Sequence, residues 1–139
     1  MILVDTNVIS EPLRREPSAA VIGWLDAQNL ETLFLSAISL AELRFGVAAL
    51  PEGRRRDWLH QGIEQRVVPL FRGRILPFDD AASKAYASLC ARARAAGNAL
   101  AVADGYIAAT AEANGLMVAT RDVAPFEAAG LRVIDPWAR

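Results

Sequence analysis

Short apolar segments rich in β-branched residues alternate with longer segments of helical pattern along this 139-residue chain. The apolar segments cover residues 2–4, 32–35, 74–78, 116–120 and 131–134. Strands that alternate with helices are joined by crossovers, and such crossovers build parallel sheets. The sequence therefore predicts an α/β fold in which helices flank a central, mainly parallel sheet.

Capping and stop residues set the expected limits of the helices. We expect helices over residues 19–28, 40–50, 55–68, 80–96 and 104–114. Ser18 is placed to cap the first of these, and Asp79 or Asp80 the fourth. Pro51 and Gly115 stand where the second and the last should stop.

Length and composition favour one domain spanning residues 1–139, with one hydrophobic core. A content of 53% hydrophobic and 22% charged residues excludes a disordered chain. No apolar run approaches the roughly 20 residues that span a bilayer, and the N-terminus lacks a signal-like pattern. Cys90 is the only cysteine, so an internal disulfide is excluded. We expect a cytoplasmic protein with no membrane contact.

The charge of the chain is nearly balanced, with a net value of −1, and gives no overall attraction to nucleic acid. Arginines are nevertheless unevenly placed, and Arg54, Arg55 and Arg56 are adjacent. We expect most of them to lie on a solvated helix face.

Four acids lie at the edges of apolar segments, namely Asp5, Glu42, Asp104 and Asp122. The carboxyl ends of parallel strands converge on one edge of a sheet, so the four are expected to face one cleft. At about 5 Å and an effective dielectric of 20, each pair of like charges costs on the order of 3 kcal/mol. Such a cleft needs a cation, and hard oxygen ligands select Mg²⁺ or Mn²⁺.

Each acid also has a simpler explanation. Asp5 is a favoured type of helix cap, and Ser39 with Glu42 fits a capping box. Asp104 precedes an apolar helical stretch that it would cap, and Asp122 is placed to open a polar turn. The metal site is therefore predicted from the combination of the four acids.

The segments that carry these acids resemble the PIN domain of VapC-type toxins, and most closely the Fit-type subgroup. They are MILVDTNVIS, LSAISLAELRFG, ADGYIAATA and VATRD, followed by a closing VIDPW. The likeness extends in order over essentially the whole chain. It implies an α/β/α sandwich, a metal-dependent ribonuclease, the toxin half of a bacterial toxin–antitoxin pair, and a homodimer.

The resemblance also implies roles for individual residues. The acids Asp5, Glu42, Asp104 and Asp122 match the metal-binding set of the family, and Thr6, Asn7 and Thr120 match its polar support positions. Many relatives have a further Asp where this chain has Pro125, which would leave Asp122 as the fourth acid. Arg121 is a candidate contact to an RNA phosphate, although a single arginine is by default a solvated surface residue.

We therefore expect hydrolysis of RNA phosphodiester bonds by a water that Mg²⁺ or Mn²⁺ activates. The resemblance implies a cognate antitoxin, and operator DNA is expected to bind only through it. The alternative is a catalytically weak PIN-fold subunit of a DNA-binding complex. Two other enzyme classes are disfavoured, because a haloacid-type phosphatase needs Asp at Asn7 and a receiver domain needs a lysine after its last strand, whereas Lys84 lies in a predicted helix.

Overall fold

Five parallel strands form one sheet in the computed structural model, which describes residues 1–138. They are β1 Ile2–Val4, β2 Leu33–Ser36, β3 Ile75–Leu76, β4 Met117–Ala119 and β5 Val133–Ile134. Their order in the sheet is β3-β2-β1-β4-β5, and every neighbouring pair is parallel. The predicted strands are confirmed, although several are shorter than predicted. Arg139, the last residue of the predicted domain, lies outside the described residues.

Within residues 1–138, seven α-helices connect and follow these strands. They are α1 Thr6–Ser10, α2 Ala19–Ala27, α3 Ala37–Ala48, α4 Arg54–Gln61, α5 Asp80–Ala95, α6 Val102–Ala113 and α7 Val123–Ala128. Five of them correspond to the predicted helices. The short helices α1 and α7 were not predicted, because a helix of five or six residues has too few turns for a readable apolar period.

The segment predicted as one helix over residues 55–68 is three consecutive pieces. Helix α4 passes into a π-helical turn, Gly62–Val67, and then into a 3₁₀ turn, Val68–Phe71. Pro69 lacks a backbone N–H, which is compatible with the change to a tighter turn.

Two of the capping explanations are wrong. Helix α3 begins three residues earlier than predicted and is capped by Ser36, whose hydroxyl accepts from the Ile38 N–H at 3.0 Å. Glu42 therefore lies in the second turn, too far from the cap to close a capping box. Helix α6 begins behind Ala101, so Asp104 is inside the first turn and is not the cap. Neither Glu42 nor Asp104 is therefore explained as a capping residue at the start of a helix.

Alternating side chains of the central strands divide the core between the two faces of the sheet. Ile2 and Val4 pack with residues of α1 to α3, whereas Leu3 packs with residues of α5 to α7. All three side chains of β1 are buried, as expected for a strand covered on both faces. The predicted α/β/α layering is confirmed. Within residues 1–138, no helix combines the length and apolar character needed to cross a membrane.

Candidate metal centre

Asp5 occupies the carboxyl end of β1, the central strand, and is 4% exposed. Its backbone N–H donates to the Ala119 carbonyl at 2.9 Å, so the ladder between β1 and β4 extends one residue past the strand. The Thr6 N–H donates to Oδ1 at 2.8 Å, and the Thr120 hydroxyl donates to Oδ2 at 2.7 Å. The carboxylate caps α1, as one explanation predicted, and is also held on both oxygens.

Thr120 joins the two strand ends through its hydroxyl group. Thr120 is fully buried, and its hydroxyl has three hydrogen-bond partners. It donates to Asp5, and it accepts from the Asp122 N–H at 3.0 Å and from Asn7 Nδ2 at 3.4 Å. Asn7 Oδ1 in turn accepts from the Arg121 N–H at 3.3 Å. Asn7 and Thr120, which the resemblance assigned to support positions, thus share one hydrogen-bonded network with Asp5.

Glu42 and Asp104 come from the two helices that pack beside this network. The Thr6 hydroxyl donates to Glu42 Oε1 at 2.7 Å, which brings an acid of α3 to the end of β1. Asp104 projects from the first turn of α6 and is half-buried, and α3 and α6 are in contact. Asp122 follows β4 as the residue before α7 and is exposed, and its side chain makes no capping bond.

Burial and neighbouring acids act on the carboxyl groups of Asp5 and Asp104. Burial raises the pKa of Asp5 from 3.8 to about 6, an effect that the hydrogen bonds from Thr120 and Thr6 reduce and that Asp104 and Glu42 reinforce. Burial also raises the pKa of Asp104, with Asp122 and Glu42 adding to the effect. Asp5 is thus within electrostatic reach of Asp104 and Glu42, and Asp104 within reach of Asp122 and Glu42.

The donor set suits a cation that keeps much of its water. Among the described residues, no three His, Cys, Asp or Glu side chains are gathered as a ready-made metal-ligand group. Mg²⁺ typically binds through one or two carboxylates and retains several waters, so an open site of this kind matches its chemistry. A buried carboxylate with a raised pKa among other acids is also stabilised by any added positive charge.

Arg121 lies at the rim of the site, exposed, with its guanidinium 5.2 Å from the centre of the Trp137 ring. Between the end of β4 and Phe126 the sequence has one acid, Asp122. Position 125, where many relatives have an Asp, is Pro125 and lies within α7.

Two arginines near Glu42 were not predicted. A cleft of about 260 Å³ is lined by Thr6 and Glu42 and also by Arg14 and Arg55. The run of arginines at 54–56 was the available signal, but sequence alone does not tell which of the three faces the site. Cavity size is no better guide, since a larger hollow of about 610 Å³ between α3 and α4 excludes all four acids.

Comparison with known proteins identifies relatives over nearly the full chain. The PIN domain family profile matches residues 2–131. The chain is 60% identical to plasmid stability protein StbB of Pseudomonas syringae pv. tomato, over 99% of each chain. It is 58% identical to VapC ribonuclease Y4jK of Sinorhizobium fredii, over 99% of this chain and 98% of the relative.

Solved structures of related proteins match the fold of this chain over nearly its full length. The chain matches the crystal structure of FitAcB from Neisseria gonorrhoeae with a TM-score of 0.96 and 52% identity, over 100% of both chains. It matches the structure of FitAB bound to an IR36 DNA fragment with a TM-score of 0.95 and 52% identity, over 99% of this chain and 96% of the other. The resemblance noted in the sequence is confirmed, and the chain belongs to the PIN domain family, within which it is similar to the VapC and Fit proteins.

Proposed function

We propose that this protein is the toxin of a bacterial type II toxin–antitoxin pair and acts as a ribonuclease that requires Mg²⁺ or Mn²⁺. The observation that carries the proposal is the environment of Asp5, a buried carboxylate whose pKa is raised to about 6 by burial and by the charges of Asp104 and Glu42. The 58% identity to a relative named as a ribonuclease supports the reaction class.

The acids divide into two pairs in this proposal. Asp5 and Asp104 hold the principal cation, whereas Glu42 and Asp122 bind it through water or help to hold a second ion. When bound, the cation stabilises charge on the phosphate and supplies a water of lowered pKa for in-line attack. The expected products carry a 5′ phosphate.

The remaining polar residues orient the acids and the substrate. The Thr6 N–H and the Thr120 hydroxyl fix both oxygens of Asp5, and the Thr6 hydroxyl fixes one oxygen of Glu42. Ligand orientation of this kind limits the loss of affinity that loosely held carboxylates suffer. In this proposal Arg121, which is exposed beside Asp122, contacts a phosphate of the RNA.

The purified chain, incubated with total RNA and Mg²⁺, Mn²⁺ or EDTA, tests the proposal. We expect cleavage with either metal, its loss with EDTA, and sites that can be mapped at nucleotide resolution. Equal cleavage in EDTA, or no cleavage with either metal, contradicts it.

A second function is binding without efficient turnover. It is favoured by the match to a solved structure of FitAB bound to a DNA fragment. A catalytically weak subunit would use the acidic cleft to hold a basic partner. Absence of RNA turnover together with tight binding of an antitoxin would support this alternative.

Partners follow from the relatives. One similar structure is of FitAB bound to a DNA fragment. We propose that this chain binds a cognate antitoxin, assembles as a homodimer, and contacts operator DNA only through that antitoxin. An arginine or lysine of the antitoxin, inserted among the acids, would offset their repulsion and silence the site.

A further inference from the structure

The cleft beside Glu42 is the feature that leads beyond the proposed reaction. It is formed by α1 and the turn after it, by α3 and by α4, and it has a volume of about 260 Å³. Thr6, Ser10, Arg14, Glu42 and Arg55 supply its polar wall, and Leu13, Leu43, Val47, Leu59 and Ile63 are among its apolar residues. We call it the arginine groove. Glu42 and Thr6, which are hydrogen-bonded to each other, connect the groove with the Asp5 end of the site.

The guanidinium groups of Arg14 and Arg55 make few contacts with acids in the described residues. Arg14 makes a long contact of 3.5 Å to Glu11, and its side chain is 60% exposed. Glu11 is itself occupied, since its other oxygen accepts from the Ser18 N–H at 3.0 Å. In the part of the chain that the structure describes, Arg55 has no ion pair and lies 5.9 Å from the centre of the Trp58 ring.

Other arginines of the fold differ in this respect. Arg44 donates through two nitrogens to Glu64, at 3.0 and 2.7 Å, and Arg92 pairs with Glu112 at 3.0 Å. Arg66 lies 5.3 Å from the centre of the same Trp58 ring as Arg55, so a second positive charge is near. Arg14 and Arg55 thus line the groove, Arg14 with one long ion pair to Glu11 and Arg55 stacked on Trp58, and both are less fully paired with acids than Arg44 is.

A cluster of acids poses a problem for a polyanionic substrate. The four carboxylates repel RNA, and the net charge of −1 gives no long-range attraction. At physiological salt, charges beyond about 8 Å are largely screened, so compensating arginines must lie beside the site. Arginine suits this role because its guanidinium binds a phosphate through two parallel hydrogen bonds.

We infer that the arginine groove is a phosphate subsite for single-stranded RNA, in which Arg14 and Arg55 bind the phosphate next to the scissile one. Its volume of about 260 Å³ leaves room for the phosphate group of one nucleotide. This inference rests on the proposed ribonuclease function and specifies its substrate.

Two measurements on the full chain test the inference. The first is the kinetics of cleavage of a fluorescein-labelled single-stranded RNA with Mn²⁺ by wild type, Arg14→Gln, Arg55→Gln and the double variant. Arg94→Gln is the matched control, because Arg94 is an exposed arginine of α5 that lines a different surface hollow. We expect KM to rise on the order of tenfold for each groove variant with kcat nearly unchanged, and Arg94→Gln to match wild type.

The second measurement is equilibrium binding of the same RNA, by fluorescence anisotropy, in an Asp104→Asn background. We expect each groove substitution to weaken binding and to reduce the slope of log affinity against log salt by about 0.7.

If wild type cleaves RNA but the groove variants behave like Arg94→Gln in both measurements, the subsite is wrong and the ribonuclease function stands. If no variant cleaves but binding still depends on Arg14 and Arg55, the subsite stands and the ribonuclease function is wrong. Binding that no groove substitution weakens overturns the subsite in either case.

Discussion

Asp5 holds its carboxylate in a position nearly closed to water, although two hydrogen bonds reach it. Burial raises its pKa to about 6, and the nearby charges of Asp104 and Glu42 add to the rise. The ionised form is therefore disfavoured in the folded protein relative to the unfolded chain. A bound cation would reverse that preference, since it favours the ionised carboxylate.

The pH dependence of stability provides a test of this environment. The folded pKa of Asp5 lies above its unfolded value, so its contribution to stability is complete below about pH 4 and is lost as pH rises through about 6. The difference from 3.8 corresponds to about 3 kcal/mol. We expect the unfolding free energy of metal-free wild type, measured relative to Asp5→Asn by urea denaturation, to fall by about that amount between pH 4 and pH 7. A constant difference between the two proteins contradicts the assignment.

Asp104 is the residue at which loss of function and gain of stability should coincide. Replacing it with Asn removes a carboxylate whose pKa is raised by burial and by Asp122 and Glu42. We expect Asp104→Asn to reduce Mn²⁺-dependent RNA cleavage by on the order of 100-fold or more, with an unchanged or raised Tm. Asp26→Asn, at an exposed position of α2, serves as the control and should leave cleavage unchanged. Wild-type activity in Asp104→Asn would exclude Asp104 as a ligand.

At the scale of elements, the site depends on how the ends of β1 and β4 meet. Asp5 and Thr120 are 115 residues apart in the sequence, yet their side chains are 2.7 Å apart because the two strands are adjacent and parallel. The Asn7 side chain adds bonds to Thr120 and to the Arg121 backbone, so α1 is tied to the segment after β4. A buried hydroxyl with three partners is costly to remove.

Thr120→Val tests this junction while keeping the shape of the side chain. It removes the bond to Asp5 and leaves the Asp122 N–H without its acceptor. We expect a loss of about 1 to 3 kcal/mol in stability and a 10- to 100-fold fall in cleavage. Thr120→Ser should restore both. The matched control is Thr110→Val, since Thr110 is also fully buried but its hydroxyl donates to the Tyr106 carbonyl within its own helix, α6. Equal losses of cleavage in both valine variants would indicate a general packing defect.

The close contact between α5 and α6 positions Asp104, and it depends on a glycine. A Cβ on Gly105 would lie 3.0 Å from Tyr86 Cε2 and 3.2 Å from Cys90 Sγ. The Tyr86 ring has little freedom to yield, because it packs against Tyr106 and Phe78. We expect Gly105→Ala to lower stability by about 1 kcal/mol in spite of the better helix propensity of alanine. Gly23→Ala, in α2 with no atom within 4 Å of the new Cβ, should raise stability by about 0.5 to 1 kcal/mol. Thermal unfolding distinguishes the two, and a stabilised Gly105→Ala contradicts the packing argument.

At the scale of the whole molecule, folding brings Asp104 and Glu42, from two helices, within electrostatic reach of Asp5 at the end of β1, and it must work against their repulsion. A cation that binds only the folded state offsets this cost by mass action, by about 2.7 kcal/mol at 100 times its Kd. We expect Mn²⁺ to raise Tm at pH 7.5, EDTA to reverse the rise, and the rise to be smaller at pH 5, where Asp5 is largely protonated. A single transition is expected, because we propose that residues 1–139 fold as one unit. A pH-independent rise, or one retained in Asp104→Asn, contradicts binding at this site.

Much of the fold could be predicted because it depends on local patterns. The five strands appear as apolar runs, and Asp79 caps α5 through the Ala82 N–H as its sequence position predicts. Helices α1 and α7 were missed because they are short, and the start of α3 was missed because Ser36 and Ser39 are equally good caps by sequence. Tertiary placement of β2 decided between them.

The sequence by itself determined the alternation of strands and helices and the placement of polar residues such as Asp5 directly after an apolar run. These are short-range properties, set by side-chain periodicity and by the backbone preferences of single residues. Only the tertiary structure decided that Thr120 holds Asp5, that Glu42 reaches Thr6 and is no part of a cap, and that Arg14 and Arg55 share a groove with Glu42. The physical reason is that hydrogen bonds, burial and cavities arise between segments that are distant in sequence, and the pattern within one segment carries no information about its partner.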